Sequence, residues 1–380
     1  MKQGNSAMRI DRRELLRQFG GAAGVAALLP STVKPADSAA DSATRLVHLD
    51  RNENAHGPCE KAKVAFREAV MEANRYPDTE VKKLCAAVAA QHHVSAENIT
   101  LGCGSTEVLR MAAETYLGPG KSLIMASPTH EAMALAAGLV GAELRSVPLT
   151  RLYGHDLEAM LAKTDSTTGL VYICNPNNPT GTLTPKADFE ALLSKFPPGV
   201  SVLIDEAYHD YVAPSDGYAS WAAHAAANPR WIVTRTFSKA YGLAGLRAGY
   251  AVSSIETAKR LAARRLPIDV NAVAARVALA ALGDPEYVKK IALLNADDRQ
   301  EFYNQANARM LRSLDSQTNF VLLATGRPGT EVAELLRSHQ VLVTSGYPYF
   351  ENYIRVSLGL AQDMKAFWRA WDASMPHHPM

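Results

Sequence analysis

The stretch "LVYICNPNNPTG" at residues 170–181 decides how the chain is read. Leu170 to Cys174 are consecutive apolar residues, and an Asn/Pro/Gly-rich segment then stops the run. A run of that length bounded by turn residues reads as a strand buried on both faces. Such strands belong to parallel sheets covered by helices. Working outward, "NITLGCGS" (98–105), "SLIMASP" (122–128), "ELRSVPL" (143–149), "VLIDEAY" (202–208), "WIVTRTFSK" (231–239) and "RAGYAVS" (247–253) have the same make-up and alternate with Ala-rich stretches of helical spacing. The expectation is an α/β fold around a mostly parallel sheet, with any ligand beyond the carboxyl ends of the strands.

The unusual residues fall at those ends. "GCGST" (102–106) leads from a strand into a helical pattern, where a Gly-rich turn offers free backbone N–H groups and a positive dipole end to a phosphate. By itself it is equally a plain strand-to-helix turn. "TFSKAYGLAGLR" (236–247) adds hydroxyls at Thr236 and Ser238, an amine at Lys239 and a guanidinium at Arg247, which suits fork-wise phosphate contacts. Asp205 ends the apolar run "SVLI", where an unpaired carboxylate is costly to desolvate, so it needs a cationic partner or serves as a helix cap. An amine for a Schiff base, a phosphate cradle and a buried anion able to pair with a protonated ring nitrogen together suit pyridoxal 5'-phosphate.

Composition sets wide limits. The 380 residues are 47% hydrophobic and 21% charged, ordinary globular values with room for two domains. A net charge of +2 with both signs interspersed implies no nucleic-acid partner. The N-terminus differs: "DRRELLRQFGGAAGVAALLP" (11–30) joins a basic segment to a Gly/Ala-rich apolar one much shorter than the roughly 20 residues a membrane span needs. Its Arg12–Arg13 pair resembles a twin-arginine export signal, with Leu15 where that pattern prefers Phe. Residues 1–43 are therefore expected to be a signal peptide and spacer, recognised by the twin-arginine export machinery and leading to a periplasmic location; a plain amphipathic helix is the alternative. No second stretch signals a membrane.

Seven motifs in order, "NENAHGP" (52–58), "NRYPD" (74–78), "LGCGSTE" (101–107), "NPNNPTG" (175–181), "DEAY" (205–208), "TFSKAYGLAGLRAGY" (236–250) and "IRVSLG" (354–359), resemble the fold-type I pyridoxal-phosphate-dependent aminotransferases, most closely the histidinol-phosphate aminotransferase branch. The resemblance runs from about Leu46 to Phe367. It implies a large cofactor-binding domain (76–266) with a mostly parallel seven-stranded sheet, and a smaller α+β domain (44–75 and 267–376). It implies that Lys239 holds the cofactor covalently and later moves the substrate's α proton, while Asp205 keeps the pyridine nitrogen protonated. Asn178 and Tyr208 match the donors to the ring's phenolic oxygen, and Gly104, Ser105, Thr106, Thr236, Ser238 and Arg247 match the phosphate cradle. Tyr76 is expected to reach that cradle from the other subunit of a homodimer. Arg355 matches the arginine that forks onto the substrate's α-carboxylate, a geometry lysine does not supply. The implied reaction moves an amino group between an L-amino acid and a 2-oxo acid. The same scaffold also supports decarboxylation, racemisation or oxygen-dependent oxidation, and a non-catalytic cofactor-binding sensor is a third reading.

Three departures stand out. His130 in "SPTHEAM" (127–133) occupies the place where the family usually stacks a large aromatic on the cofactor; filling the same space is its simplest role, an added acid/base role the alternative. Thr344 stands eleven positions before Arg355, where histidinol-phosphate enzymes usually carry a phosphate-binding arginine, which argues against that substrate. Ala55 replaces a usual proline. Cys59, Cys85, Cys103 and Cys174 fit no metal spacing, and Cys103 and Cys174 are expected to be small buried residues. His48, His56, His92 and His93 form no ligand pattern, and the last two are expected at a solvated helix end.

Overall fold

A computed structural model describes residues 45–215 and 217–375; the expected export segment lies outside the described residues. β1 (Val47–His48) opens the described chain, and seven strands then form the central sheet: β2 (Ile99–Gly102), β3 (Ser122–Ser127), β4 (Glu143–Pro148), β5 (Thr168–Cys174), β6 (Ser201–Asp205), β7 (Trp231–Thr236) and β8 (Gly249–Val252). Their spatial order is β2-β8-β7-β6-β5-β3-β4. β8 runs against both its neighbours, and the other pairs are parallel. Each apolar run read from the sequence is one of these strands.

Alternation along the strands divides the core between the two faces. On one face Ile124, Val171, Ile173, Val202 and Ile204 pack with Phe189 and Trp221. On the other, Leu123, Met125, Leu170, Tyr172 and Leu203 pack against Val108, Leu109 and Met111 of the helix Ser105–Tyr116. Double-sided burial is why β5 and β6 read as unbroken apolar runs rather than alternating ones. The edge strand β4 is mostly exposed, and its Arg145 bonds Glu143 (2.9 Å) and Asp165 (2.7 Å), charges that discourage edge-to-edge pairing.

A second sheet follows. β9 (Phe320–Ala324), β11 (Thr344–Tyr347) and β12 (Phe350–Ser357) are antiparallel in the order β11-β12-β9, while β10 (Val341–Leu342) pairs in parallel with β1. Val321, Leu323, Ile354 and Val356 pack against Phe302, Phe367 and Trp368. The segment after β1 joins this sheet: Leu49 donates its N–H to Leu342 O (2.9 Å) and accepts from the Ser357 N–H (2.9 Å). Two glycines fix close approaches. A Cβ on Gly249 would collide with the Ser105 amide nitrogen, so β8 can lie against the start of helix Ser105–Tyr116 only without a side chain there. Gly242, at φ 71°, lies against the Gly57 carbonyl and brings residues 52–58 to the Lys239 loop.

Candidate active site

A cavity of about 890 Å³ opens beyond the carboxyl ends of β3, β5, β6 and β7. Its floor comes from the strand ends and the Lys239 loop; its wall comes from residues 50–53, the turn 344–348 and Arg355. Of the residues singled out in the sequence, Ser105, Thr106, His130, Asn178, Asp205, Tyr208, Thr236, Ser238, Lys239, Arg247 and Arg355 all line it.

One end is built for an anion. Gly104, at φ 74°, caps the helix Ser105–Tyr116, and the space its missing Cβ would fill is taken by the Arg247 guanidinium. Arg247 itself sits at φ 59°, a left-handed conformation uncommon outside glycine. Its Nη1 donates to Ser238 Oγ (3.3 Å) and Ala244 O (3.1 Å), and it has no carboxylate partner among the described residues. Ser238 N–H donates to Thr236 Oγ1 (3.1 Å). A helix N-terminus, two hydroxyls and an unneutralised guanidinium therefore face one small volume.

Asp205 is 1% exposed at the end of β6; it caps no helix, and no Lys or Arg among the described residues pairs with it, so the side chain stays available to a cationic ligand. Its Oδ1 accepts from Thr234 Oγ1 (3.0 Å), across the strand pair, and its Oδ2 from Tyr172 OH (2.9 Å). Neutral hydroxyls solvate the charge without cancelling it, which leaves a buried anion aimed into the cavity. Lys239 lies nearby. Its Nζ donates to Asn52 O (2.9 Å) and Arg51 O (3.2 Å) and stands 5.5 Å from the Tyr208 ring centre. Burial, with the Arg355 and Arg247 guanidinium groups, lowers its pKa to about 7 against the opposing pull of Glu53 and Asp205. Tyr208 OH accepts from Asn52 Nδ2 (3.0 Å), and burial pushes its phenol up.

Asn52 is a site residue that the sequence reading did not single out. It is 2% exposed at φ 54°, its N–H donates to Ser357 Oγ (2.8 Å), and Ser357 Oγ donates to its side-chain oxygen (3.2 Å). It thus ties both Tyr208 and Lys239 to Ser357 of β12. The signal was present: Asn52 opens the quoted motif 52–58, and an Asn is among the few side chains that accept a left-handed backbone.

Arg355 projects from β12 and is 8% exposed. Nη1 donates to Asn178 Oδ1 (2.6 Å), and Nη2 to Asp50 O (2.7 Å) and Thr344 Oγ1 (3.2 Å). Nε is buried without a partner, and no carboxylate pairs with the group among the described residues. The guanidinium is also 5.4 Å from the Phe320 ring and 5.7 Å from that of Tyr347. A buried, oriented cation lacking its anion is what a carboxylate ligand would complete.

His130 lines the same cavity, where burial, then the charges of Lys239 and Arg355, lower its pKa despite Asp205 and Glu131. Tyr76 is 77% exposed and lies outside the cavity residues of its own chain. Two expectations are corrected. Cys103 is exposed, because the turn between Gly102 and Gly104 points it outward while its N–H donates to Glu107 Oε2 (2.6 Å); Cys174 is buried as expected. His93 is exposed, but His92 turns inward, bonding Tyr250 OH (3.0 Å), and burial lowers its pKa to about 4. The four cysteines are unpaired.

Residues 44–370 match the family model "Aminotransferase class I and II". The chain is 38% identical over 326 residues to the histidinol-phosphate aminotransferase of Moorella thermoacetica, covering 86% of this chain and 84% of that protein. It is 40% identical over 338 residues to histidinol-phosphate aminotransferase 2 of Ralstonia nicotianae, covering 88% and 90%. A solved structure of histidinol-phosphate aminotransferase from Sinorhizobium meliloti in complex with pyridoxal-5'-phosphate superposes with a TM-score of 0.82 at 28% identity, covering 87% of this chain and 90% of that one.

Proposed function

The chain belongs to the class I and II aminotransferases, and from that premise we propose that it moves an amino group between an amino acid and a 2-oxo acid in the Lys239 cavity, with pyridoxal 5'-phosphate as cofactor. The residues present fit that cofactor. Arg247, Ser238, Thr236 and the helix start at Ser105 and Thr106 would take its phosphate; Asp205, a buried anion without a counter-cation, would take its ring nitrogen. Asn178 and Tyr208 would face its phenolic oxygen, and the imidazole of His130 would pack against the ring. When bound, the cofactor supplies an aldehyde carbon for amines to join and a ring that accepts the electron pair left by the departing α proton.

The chain's own residues do the rest. Lys239 holds the cofactor and, once released, is an amine whose lowered pKa leaves a large neutral fraction near pH 7, able to take the α proton and return it. Arg355 orients the substrate through its α-carboxylate, its own position set by Asn178, Asp50 and Thr344. The single observation that carries this reading is the convergence of Lys239, Asp205 and two guanidinium groups without carboxylate partners on one cavity. The test is isotopic: ¹⁵N from a labelled amino acid should appear in the amino acid formed from an added 2-oxo acid. Label released as free ammonia would contradict it. The histidinol-phosphate enzymes among the relatives make that amine one donor to try.

The reading extends to assembly and place. The exposed Tyr76 and its motif support a homodimer in which each chain completes its partner's phosphate cradle, and the stretches 76–266 and 44–75 with 267–376 would close on one another over substrate. Arg12 and Arg13 support export by the twin-arginine route to the periplasm, a route that carries proteins already folded around a cofactor. Fusing residues 1–44 to a reporter and changing both arginines to lysine should stop export; unimpeded export would remove this part of the proposal.

A further inference from the structure

The charges left over in the cavity bear on which donor it takes, an inference that rests on the amino-transfer reading. Among the described residues Lys and Arg supply four cations to the cavity, and Lys239, Arg247 and Arg355 are committed to the cofactor and the α-carboxylate. The fourth, Arg51, is mostly exposed and leans on Asp50 at 3.7 Å. Two further carboxylates, Glu53 and Glu131, have no ion-pair partner among the described residues. Glu53 acts on Lys239 through space, and Glu131 acts on both His130 and Tyr347.

The turn that closes this part of the wall brings no compensating charge. Thr344 is the cross-strand partner of Arg355, and its hydroxyl is already used: it donates to Asp50 O (2.7 Å) and accepts from Arg355 (3.2 Å). Tyr347 presents a ring beside the Arg355 guanidinium and a buried hydroxyl without a well-formed hydrogen bond. The compartment next to the α-carboxylate site thus offers an aromatic face, the Tyr347 hydroxyl beside Thr344, and two carboxylates at its exposed rim, with no cation to offset them beyond Arg51. An anion placed there would meet like charge rather than a compensating cation.

We propose that this compartment selects amino donors whose side chains are neutral or cationic and rejects anionic ones, phosphate esters included, with Thr344, Tyr347, Glu53 and Glu131 setting the choice. Purified holo-protein would be mixed in single turnovers with L-phenylalanine, L-histidine, L-lysine, L-aspartate, L-glutamate and histidinol phosphate. In parallel, calorimetry would compare two unreactive ligands, 3-phenylpropionate and glutarate. The best neutral or cationic donor should exceed every anionic one at least about ten-fold in kcat/KM, and 3-phenylpropionate should bind at least about ten-fold more tightly than glutarate. Thr344→Arg and, independently, Glu131→Gln should each shift the ratio toward anionic donors. An anionic donor ranking first, or glutarate binding more tightly, would overturn the proposal while leaving amino transfer intact. If no donor reacts, the amino-transfer reading fails, and the ligand pair still reads the charge preference without any substitution.

Discussion

The floor and the wall of the cavity are made in opposite ways. The floor is local: Asp205, Thr236, Ser238 and Lys239 sit at or just beyond the ends of adjacent parallel strands, so strand register alone sets their spacing. The wall is assembled across the chain: Arg355 bonds the Asp50 carbonyl, and Ser357 the Asn52 amide, each pair 305 residues apart. The difference separates two tasks. A fixed floor suits chemistry whose parts must not move, and a wall carried by a second sheet can be altered to admit another substrate without disturbing them.

Substitutions should divide along that line. Lys239→Ala on the floor removes the cofactor's attachment point and the proton carrier together, and should lower kcat by about 10⁴-fold or more in a steady-state assay with the best donor. A residual rate within about ten-fold of the parent would move the chemistry elsewhere. On the wall, Arg355→Lys keeps a charge but loses the fork, so kcat/KM should fall by about 10²-fold, mostly through KM. An equal fall in kcat with KM unchanged would place Arg355 in the chemical step instead.

Asn52→Ala tests the seam between the two regions. It frees the Tyr208 hydroxyl and leaves the Ser357 hydroxyl without its bond to the Asn52 side chain, and should cost about ten-fold in kcat with a loss of about 1–2 kcal/mol in unfolding free energy. A purely structural residue would lower the unfolding midpoint alone. The smallest effect concerns pH. Because Lys239 is held at about 7, the cofactor-free protein should react with an added carbonyl compound at a rate that rises with pH as the amine loses its proton, and levels off above about pH 7. Arg355→Met removes a cation that disfavours the ammonium, so the midpoint should move upward, by up to about one unit. A midpoint near that of an ordinary lysine in the parent protein would contradict the lowered pKa.

The same division explains what the sequence discloses. The central strands are legible because burial on both faces writes each as a short unbroken apolar run, and the floor is legible because its polar residues follow those runs directly. Asp205 was expected to need a cation; only the register that places Thr234 and Tyr172 beside it reveals how hydroxyls keep the charge buried. Asn52 escaped notice because its partners, Tyr208, Lys239 and Ser357, come from three distant segments that no spacing rule connects. Cys103 was expected inside because it falls within a site motif at a strand end, but the turn at Gly104 directs it to solvent. Arg355 was found through its motif alone, and nothing in "IRVSLG" discloses that Thr344 and Asp50 hold it.

The central claim is that Lys239 and its floor carry out amino transfer, and a single-turnover absorbance spectrum tests it most directly. Holo-protein mixed with a reactive L-amino acid, without any 2-oxo acid added, should lose the band of the lysine-linked cofactor, gain that of the pyridoxamine form and release one equivalent of 2-oxo acid per site. If the original band returns while carbon dioxide, ammonia or peroxide is released, the scaffold performs a different reaction, and Lys239 and Arg355 serve that chemistry rather than amino transfer.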